Sequence, residues 1–102
     1  MSVIVIATGF PIPEHRAEVI TAFEAAIVRV HDEAGVDLYA RHEGRDRLVM
    51  IEKYASQDAF AKHGQSPALA DLRASLAGKL SSDIDVQELT PHPVGTAPQV
   101  TL

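Results

Sequence analysis

The chain has 102 residues, a formal net charge of −5 and a hydrophobic content of 46%. This length fits one domain with one core, and a second subunit would be a natural way to bury more surface. The acidic balance argues against nucleic-acid binding, which needs a basic patch. The absence of cysteine excludes disulfides, thiol catalysis and thiolate metal sites. Without an apolar run long enough for a signal peptide or a membrane span, we expect a soluble cytoplasmic protein that does not bind membranes.

The first half of the chain predicts a strand, a helix and a second strand. Residues Val3–Ala7 form a continuous, mainly β-branched run, which is typical of a strand buried on both faces. Pro13 suits the first position of a helix that extends to about Glu33, and Gly35 provides its stop. The alternating stretch Val36–Glu43 favours a half-exposed antiparallel strand. The apolar stripe of the helix is expected to comprise Ala17, Ile20, Phe23, Ile27 and Val30.

A hairpin and two further helices are predicted for the second half. The turn Gly44–Asp46 joins the second strand to a third, which begins at about Arg47 and ends at Tyr54. Ser56 is expected to cap a short helix that ends on His63. A third helix follows, capped by Ser66 with Pro67 at its first position, and its apolar stripe is expected to comprise Leu69, Leu72, Leu76 and Leu80.

The order of these elements predicts the fold. The last strand, Ile84–Leu89, is polar enough to lie at a sheet edge. The order β-α-β-β-α-β predicts an α+β, ferredoxin-like domain over residues 1–90, with a four-stranded antiparallel sheet and helices on one face. Residues 91–102 hold three of the six prolines and predict a tail, either mobile or laid across a partner. Strands one and three are apolar on both faces, so we expect the open face to pack on that of a second subunit, forming a homodimer.

Glu52 is the first candidate functional residue. It shares a strand face with Met50 and Tyr54. A carboxylate in such an apolar row needs hydrogen bonds, an ion-pair partner or access to a cavity. If its role is structural, Glu52 would accept hydrogen bonds or pair with an arginine at the dimer boundary, either Arg41 or Arg47. As a functional group, it would instead point into a cavity.

His63 and two tyrosines complete the candidate catalytic set. Phe60 and His63 fall three residues apart on the short helix and therefore share a face. An imidazole is suited to proton transfer near neutral pH, and the alternative is that His63 is only a favourable cation at a helix C-terminus. Tyr39 and Tyr54 either pack in the core with a satisfied hydroxyl or orient a substrate.

A substrate pocket is expected between the sheet and the helices. Its wall would be formed by core side chains and one cation, namely Phe23, Ile27, Met50, Phe60, Leu69, Leu72 and Arg73. The five histidines show no metal-ligand spacing, and neither a phosphate-binding glycine loop nor a dinucleotide fingerprint occurs. We therefore expect no tightly held metal, flavin or nicotinamide.

Several segments of the chain resemble the antibiotic biosynthesis monooxygenase (ABM) family, which includes quinol and anthrone monooxygenases. They are His31–Gly35, Asp37–Tyr39, Val49–Tyr54, Asp58–His63 and Ser66–Pro67. The likeness extends from Val3 to about Pro91. The resemblance implies a dimeric α+β barrel. For members that oxygenate aromatic compounds it also implies chemistry without a cofactor, in which the bound phenol or anthrone is deprotonated and its anion reduces O₂.

The resemblance also bears on the residues of the site. It places Tyr39, Glu52 and His63 where the family has similar residues, and it implies a small aromatic molecule and O₂ as partners. Polyketide-tailoring members have Asn and Trp where this chain has Met50 and Tyr54. Their substrate handling therefore does not transfer intact.

The resemblance also leaves other functions as alternatives. The Trp and His of haem degraders are replaced by His63 and Arg73, which argues against haem breakdown. An isomerase of a small polar or phosphorylated metabolite would need cations in the pocket, and the available ones are Arg41, Lys62 and Arg73. The non-enzymatic alternative is a dimeric small-molecule binder whose histidine and glutamate are structural.

Overall fold

The computed structural model describes all 102 residues, which form a four-stranded sheet with three α-helices. The elements are β1 (Val3–Gly9), α1 (Arg16–Val30), β2 (Val36–Glu43), β3 (Leu48–Tyr54), α2 (Gln57–Gly64), α3 (Pro67–Leu76) and β4 (Asp85–Leu89). The predicted start at Pro13 is a short 3-10 turn, Pro13–His15, that leads into α1. The predicted end at Glu33 was wrong, because α1 stops at Val30.

The sheet confirms the predicted ferredoxin-like α+β fold. Its strand order is β2-β3-β1-β4, and all neighbouring strands are antiparallel. The predicted hairpin joins β2 to β3, and the Gly44 N–H donates to the Arg47 carbonyl at 2.8 Å. The sheet is open, with β2 and β4 at its edges, as expected for the polar last strand. None of the helices is both long and apolar enough to span a membrane.

The main core lies between one face of the sheet and the helices. On β3 every second side chain is buried, which confirms that Leu48, Met50, Glu52 and Tyr54 share the helix-covered face. The largest cluster of buried side chains comprises Val19, Phe23, Ala26, Val30, Tyr39, Leu48, Met50, Ala68, Leu72 and Leu76. The opposite face carries no helix. Ile4 is buried there, and the central isoleucines Ile6 and Ile51 are half-buried and paired across β1 and β3.

The buried stripe of α1 differs from the predicted one. Phe23 and Val30 are buried as expected, but their neighbours in the stripe are Val19 and Ala26. Of the other predicted members, Ala17 is exposed and Ile20 and Ile27 are half-buried. The sequence of α1 fits two overlapping apolar stripes. Because Ala26 is small, the helix can pack closely on the core through the stripe that contains it, and Ile20 and Ile27 lie at the border of the contact.

Two serine caps fix where α2 and α3 begin. The Ser56 hydroxyl accepts from the Ala59 N–H at 3.1 Å, and the Ser66 hydroxyl accepts from the Leu69 N–H at 3.2 Å. Both predicted caps are therefore confirmed. Since α2 has only eight residues, the first cap also sets the place of His63 in its last turn.

The chain after β4 contains neither helix nor strand over residues 91–102. Its last residue contacts the sheet, because Lys53 Nζ donates to the Leu102 carbonyl at 2.7 Å. Lys53 belongs to the face of β3 opposite the helices. The end of the chain therefore lies at the open side of the sheet.

Gly35 brings the loop between α1 and β2 against α2. Its φ is +80°, a left-handed conformation that favours glycine. A Cβ placed there would lie 2.6 Å from the Ala59 Cβ. Gly35 was expected to stop α1, but it lies five residues beyond the end of that helix and instead allows the close turn into β2.

We predict that Gly35→Ala destabilises the fold by about 1–3 kcal/mol, because the substitution adds backbone strain and a clash with α2. Urea unfolding followed by circular dichroism measures the change. Gly64→Ala is the matched control, since a Cβ at that position meets no atom within 4 Å. Equal stability of the two variants would contradict the close approach.

Candidate active site

A cavity of about 610 Å³ lies between the sheet and the helices, as expected. Thirteen of its 20 lining residues are hydrophobic, so it suits a mainly apolar ligand. Nine of the residues singled out from the sequence lie on its wall, namely Phe23, Tyr39, Met50, Glu52, Phe60, His63, Leu69, Leu72 and Arg73.

Two of the residues singled out from the sequence lie elsewhere. Ile27 borders a separate groove between α1 and β2, which Arg41 also lines, because the helix is rotated from the predicted stripe. Tyr54 is fully buried at the end of β3, and its ring packs on Phe60 with centroids 5.1 Å apart. Ile27 therefore does not line the cavity, and Tyr54 matches the first of its two alternatives, a packed ring with a satisfied hydroxyl.

The sequence also left part of the wall unrecognised. The segment from Leu76 to Val86, which joins α3 to β4, supplies eight lining residues. Most of this segment is irregular, so no periodic pattern marks its inward side chains. Its polar members Ser82 and Asp83 are exposed.

Glu52 is held by Tyr54 and opens onto the cavity. Its side chain is 4% exposed, and its Oε1 accepts from the Tyr54 hydroxyl at 2.6 Å. The second oxygen has no partner, yet it is not among the fully enclosed polar atoms. It is therefore accessible from the cavity that Glu52 lines.

Burial controls the protonation of Glu52. Removal from water raises the pKa of this carboxyl to about 7, although the hydrogen bond from Tyr54 opposes the rise. Near neutral pH the group therefore exchanges between a neutral form that can donate a hydrogen bond and a charged form that can only accept.

Neither arginine expected as a structural partner of Glu52 contacts it. Arg41 pairs with Glu24 and Glu43 at 3.3 Å each, and Arg47 pairs with its neighbour Asp46 at 2.8 Å. The reason lies in the sheet register, because the residue opposite Glu52 on β2 is Tyr39, two positions before Arg41. Within the chain the arginine pairing is therefore absent, and the hydrogen bond from Tyr54 matches the other structural alternative for Glu52.

The two buried tyrosines are donors rather than bases. Burial raises the pKa of the Tyr39 and Tyr54 hydroxyls, and the nearby negative charge of Glu52 raises it further. Both phenols therefore keep their protons at neutral pH. The Tyr54 hydroxyl donates a hydrogen bond to Glu52, while Tyr39 lines the cavity.

His63 lies between these two tyrosines. Its residue is 3% exposed, and its ring centroid is 5.3 Å from that of Tyr39 and 5.4 Å from that of Tyr54. Its Nδ1 lies 3.0 Å from the Oε1 of Glu33. The other ring nitrogen, Nε2, makes no hydrogen bond and is not enclosed, so it is accessible from the cavity.

Glu33 is the polar partner that the sequence analysis missed. It lies in the loop after α1, 30 positions before His63, and no spacing rule joins the two. The signal available was its place two residues before Gly35, within a segment that carried the family resemblance. That glycine is what brings the loop onto α2.

The cavity therefore combines an apolar wall with one polar cluster. Tyr39, Glu52 and His63 present a phenol, a carboxyl of raised pKa and an imidazole to the same space. Such a set can remove a proton from a ligand and donate hydrogen bonds to the resulting anion. No three His, Asp or Glu side chains cluster so that they could hold a metal ion.

We predict that Glu52→Gln removes a pH dependence of stability. In the folded protein Glu52 keeps its proton up to about pH 7, whereas the unfolded chain loses it near the ordinary value of 4.5. The contribution of this group to the free energy of unfolding is therefore greatest below about pH 4.5. It falls by about 3 kcal/mol as the pH rises to about 7.

Urea unfolding of both proteins between pH 4.5 and 8 measures this contribution. The two proteins should be about equally stable at the acidic end, and the variant should be more stable at the alkaline end. Since the other ionisable groups are common to both, parallel curves would show that Glu52 is not a desolvated acid.

The structure is similar to several solved structures. One is Rv0793 from Mycobacterium tuberculosis, with 28% identity over 94% of this chain and 100% of that chain and a TM-score of 0.87. Another, from Caulobacter crescentus and provisionally named an antibiotic biosynthesis monooxygenase, has 23% identity, coverage of 86% and 87%, and a TM-score of 0.82. A protein of the same provisional name from Deinococcus radiodurans has 17% identity, coverage of 92% and 96%, and a TM-score of 0.83.

The last two likenesses show the fold alone at these identities, and no curated protein matches the chain. The family described as antibiotic biosynthesis monooxygenase (ABM) matches residues 2–75, well over half of the sequence. This match confirms the resemblance seen in the sequence, and the chain belongs to the ABM family.

Proposed function

We propose that this protein is a monooxygenase that oxidises a small phenolic, quinol or polycyclic aromatic compound with O₂ and without a cofactor. The observation that carries the proposal is the access of His63 Nε2 and Glu52 Oε2 to one mainly apolar cavity. Membership of the ABM family supports the reaction class. The provisional names of similar structures agree with it.

The size and wall of the cavity favour an aromatic substrate. Its volume of about 610 Å³ lies within the usual range for small-molecule sites. Phe23, Phe60 and Leu72 offer apolar surface against which a flat ring can pack. A charged or strongly hydrated ligand would lose hydration there without enough compensating partners.

The proposed reaction begins with a proton transfer to His63. Its Nε2 takes a proton from a phenolic hydroxyl or from an activated ring carbon, and the substrate becomes an electron-rich anion. That anion passes electrons to O₂. When a ring methylene is oxidised to a carbonyl, the substrate supplies all the electrons needed to convert O₂ into the carbonyl oxygen and water, so no further reductant takes part.

Glu52 and Tyr39 are proposed to stabilise the negative charge that forms. Tyr39 keeps its proton and can donate it in a hydrogen bond. The raised pKa of Glu52, about 7, lets its neutral form donate as well. Donors fixed in a largely apolar cavity stabilise an anion more strongly than water does, because they need no reorientation.

The isomerase alternative has less support in the cavity. Of the three cations that it would use, Arg73 alone lies on the wall. Arg41 pairs with Glu24 and Glu43, and Lys62 pairs with Asp58 at 3.1 Å. A phosphorylated ligand would therefore meet a single cation in a mainly apolar space.

We also propose that the protein works as a homodimer through the open face of the sheet. The support is the half-buried apolar side chains at its centre, among them Ile6, Val49 and Ile51. A self-complementary apolar patch of this kind can pack on itself about a two-fold axis. The partner subunit would then bury surface that a chain of this size leaves open.

We predict that purified, metal-free protein consumes O₂ with an anthrone, quinol or flavonol and that His63→Asn lowers kcat/KM by about two to four orders of magnitude. Asn can still donate to Glu33 but cannot act as a base, so the fold should be retained. An oxygen electrode and a substrate panel make the measurement.

His15→Asn is the matched control, because His15 also contacts a glutamate through Nδ1, at 3.1 Å, but on the surface. It should leave the rate unchanged. Uptake that survives in His63→Asn would remove His63 from the mechanism. No uptake with any compound by the folded wild type would leave the isomerase and binding-protein alternatives.

We predict that Ile51→Lys converts the dimer to a monomer, because it places a charge in the proposed contact. Val28→Lys is the control, since Val28 is 65% exposed on α1 and away from that face. Light scattering after gel filtration gives the mass of each protein. A wild-type monomer, or an unchanged mass for Ile51→Lys, would contradict the proposed interface.

A further inference from the structure

We propose that Glu33 is a positioning residue, which holds His63 in the tautomer that carries its proton on Nδ1 and so leaves Nε2 as the proton acceptor. The use of Nε2 as a base rests on the proposed function. The tautomer itself does not, because it follows from the contact between Glu33 and His63.

The contact defines which nitrogen donates. Glu33 Oε1 lies 3.0 Å from His63 Nδ1. A carboxylate oxygen can only accept, so Nδ1 must carry the proton. In a neutral imidazole the other nitrogen is then an acceptor with a free lone pair. That nitrogen is Nε2, which is accessible from the cavity, whereas Glu33 lies outside the cavity wall.

Each of these side chains depends on the other. Glu33 Oε2 is enclosed without a hydrogen-bond partner, so His63 is the only side chain that donates to this carboxylate. His63 makes no other side-chain hydrogen bond. Turning the imidazole over would move Nδ1 away from the carboxylate and leave a partly buried charge without a donor, which is costly.

The surrounding structure opposes such a turn. The His63 ring lies between Tyr39 and Tyr54, at interplanar angles of 61° and 39°. The backbone of Glu33 is also held, because its N–H donates to the Val30 carbonyl at 2.9 Å and its carbonyl accepts from the Val36 N–H at 3.4 Å. Both partners are therefore fixed before a ligand arrives, which is what a positioned base requires.

A second pair in the same chain shows why burial matters. His15 Nδ1 and Glu18 Oε1 lie 3.1 Å apart, nearly the same distance, but their side chains are 38% and 54% exposed. The side chains of His63 and Glu33 are only 4% and 22% exposed. Water competes for the nitrogens of His15, whereas it has little access to the contact at His63.

Glu33 would act throughout the proton transfer without touching the substrate. When Nε2 takes the substrate proton, the imidazole becomes a cation with a proton on each nitrogen. Glu33 keeps its charge and its hydrogen bond from Nδ1, so it stabilises the cation that forms. The proton count is unchanged at Glu33, and the substrate loses the one proton that His63 gains.

The direct test is the tautomer of His63 in the full-length protein. Long-range ¹H–¹⁵N correlation spectra distinguish protonated from unprotonated ring nitrogens, and His63→Asn identifies the signals by their loss. We expect Nδ1–H in the wild type and in Glu33→Gln, whose amide oxygen still accepts. We expect conversion towards Nε2–H in Glu33→Ala, while the matched control Glu18→Gln leaves His63 unchanged.

A wild-type His63 with its proton on Nε2 would overturn the proposal, and so would an unchanged tautomer in Glu33→Ala. These outcomes do not depend on any substrate. Circular dichroism and thermal unfolding of Glu33→Gln and Glu33→Ala show whether each variant is folded. If Glu33→Ala does not fold, the wild-type tautomer and that of Glu33→Gln decide the proposal.

Kinetics then separates the two claims. With a substrate that supports uptake, Glu33→Ala should lower kcat by about 10- to 100-fold with little change in KM, and Glu33→Gln should lie between it and the wild type. Loss of rate without a change of tautomer would overturn the positioning role. Absence of uptake in the wild type would defeat the proposed function but leave the tautomer result intact.

Discussion

The site depends on the burial of two ionisable side chains against an apolar sheet. Glu52 and His63 are both almost fully removed from water, and each needs a polar partner to be tolerated there. Tyr54 supplies it for Glu52 and Glu33 supplies it for His63. Each pair leaves one polar atom free on the cavity side, so the same two contacts that satisfy the buried groups also define the polar surface of the cavity.

Backbone geometry sets these partners in place. β3 presents Glu52 and Tyr54 on one face, two residues apart, and the short capped helix α2 carries His63 over that face. The turn at Gly35 draws the loop holding Glu33 onto α2, because only a glycine fits there. The segment between α3 and β4 supplies further residues of the cavity wall.

Local patterns in the sequence account for most of the fold and for part of the site. Alternation on β3 and the serine caps predicted the strand face and helix starts, and thereby the convergence of Glu52 with His63. What they could not give depends on contacts between distant parts of the chain. Glu33 contacts His63 because a loop approaches α2. The rotation of α1, which places Ile27 outside the pocket, depends on packing. The register of the sheet places Tyr39, rather than Arg41, opposite Glu52.

We propose that the cavity converts a bound aromatic molecule into its anion before O₂ reacts. The most direct test is the absorption spectrum of an anthrone mixed with excess protein in the absence of O₂, with binding checked by ultrafiltration. We expect the spectrum of the anion in the wild type and that of the neutral molecule in His63→Asn. An anthrone that binds the wild type but keeps its neutral spectrum would contradict the proposed mechanism.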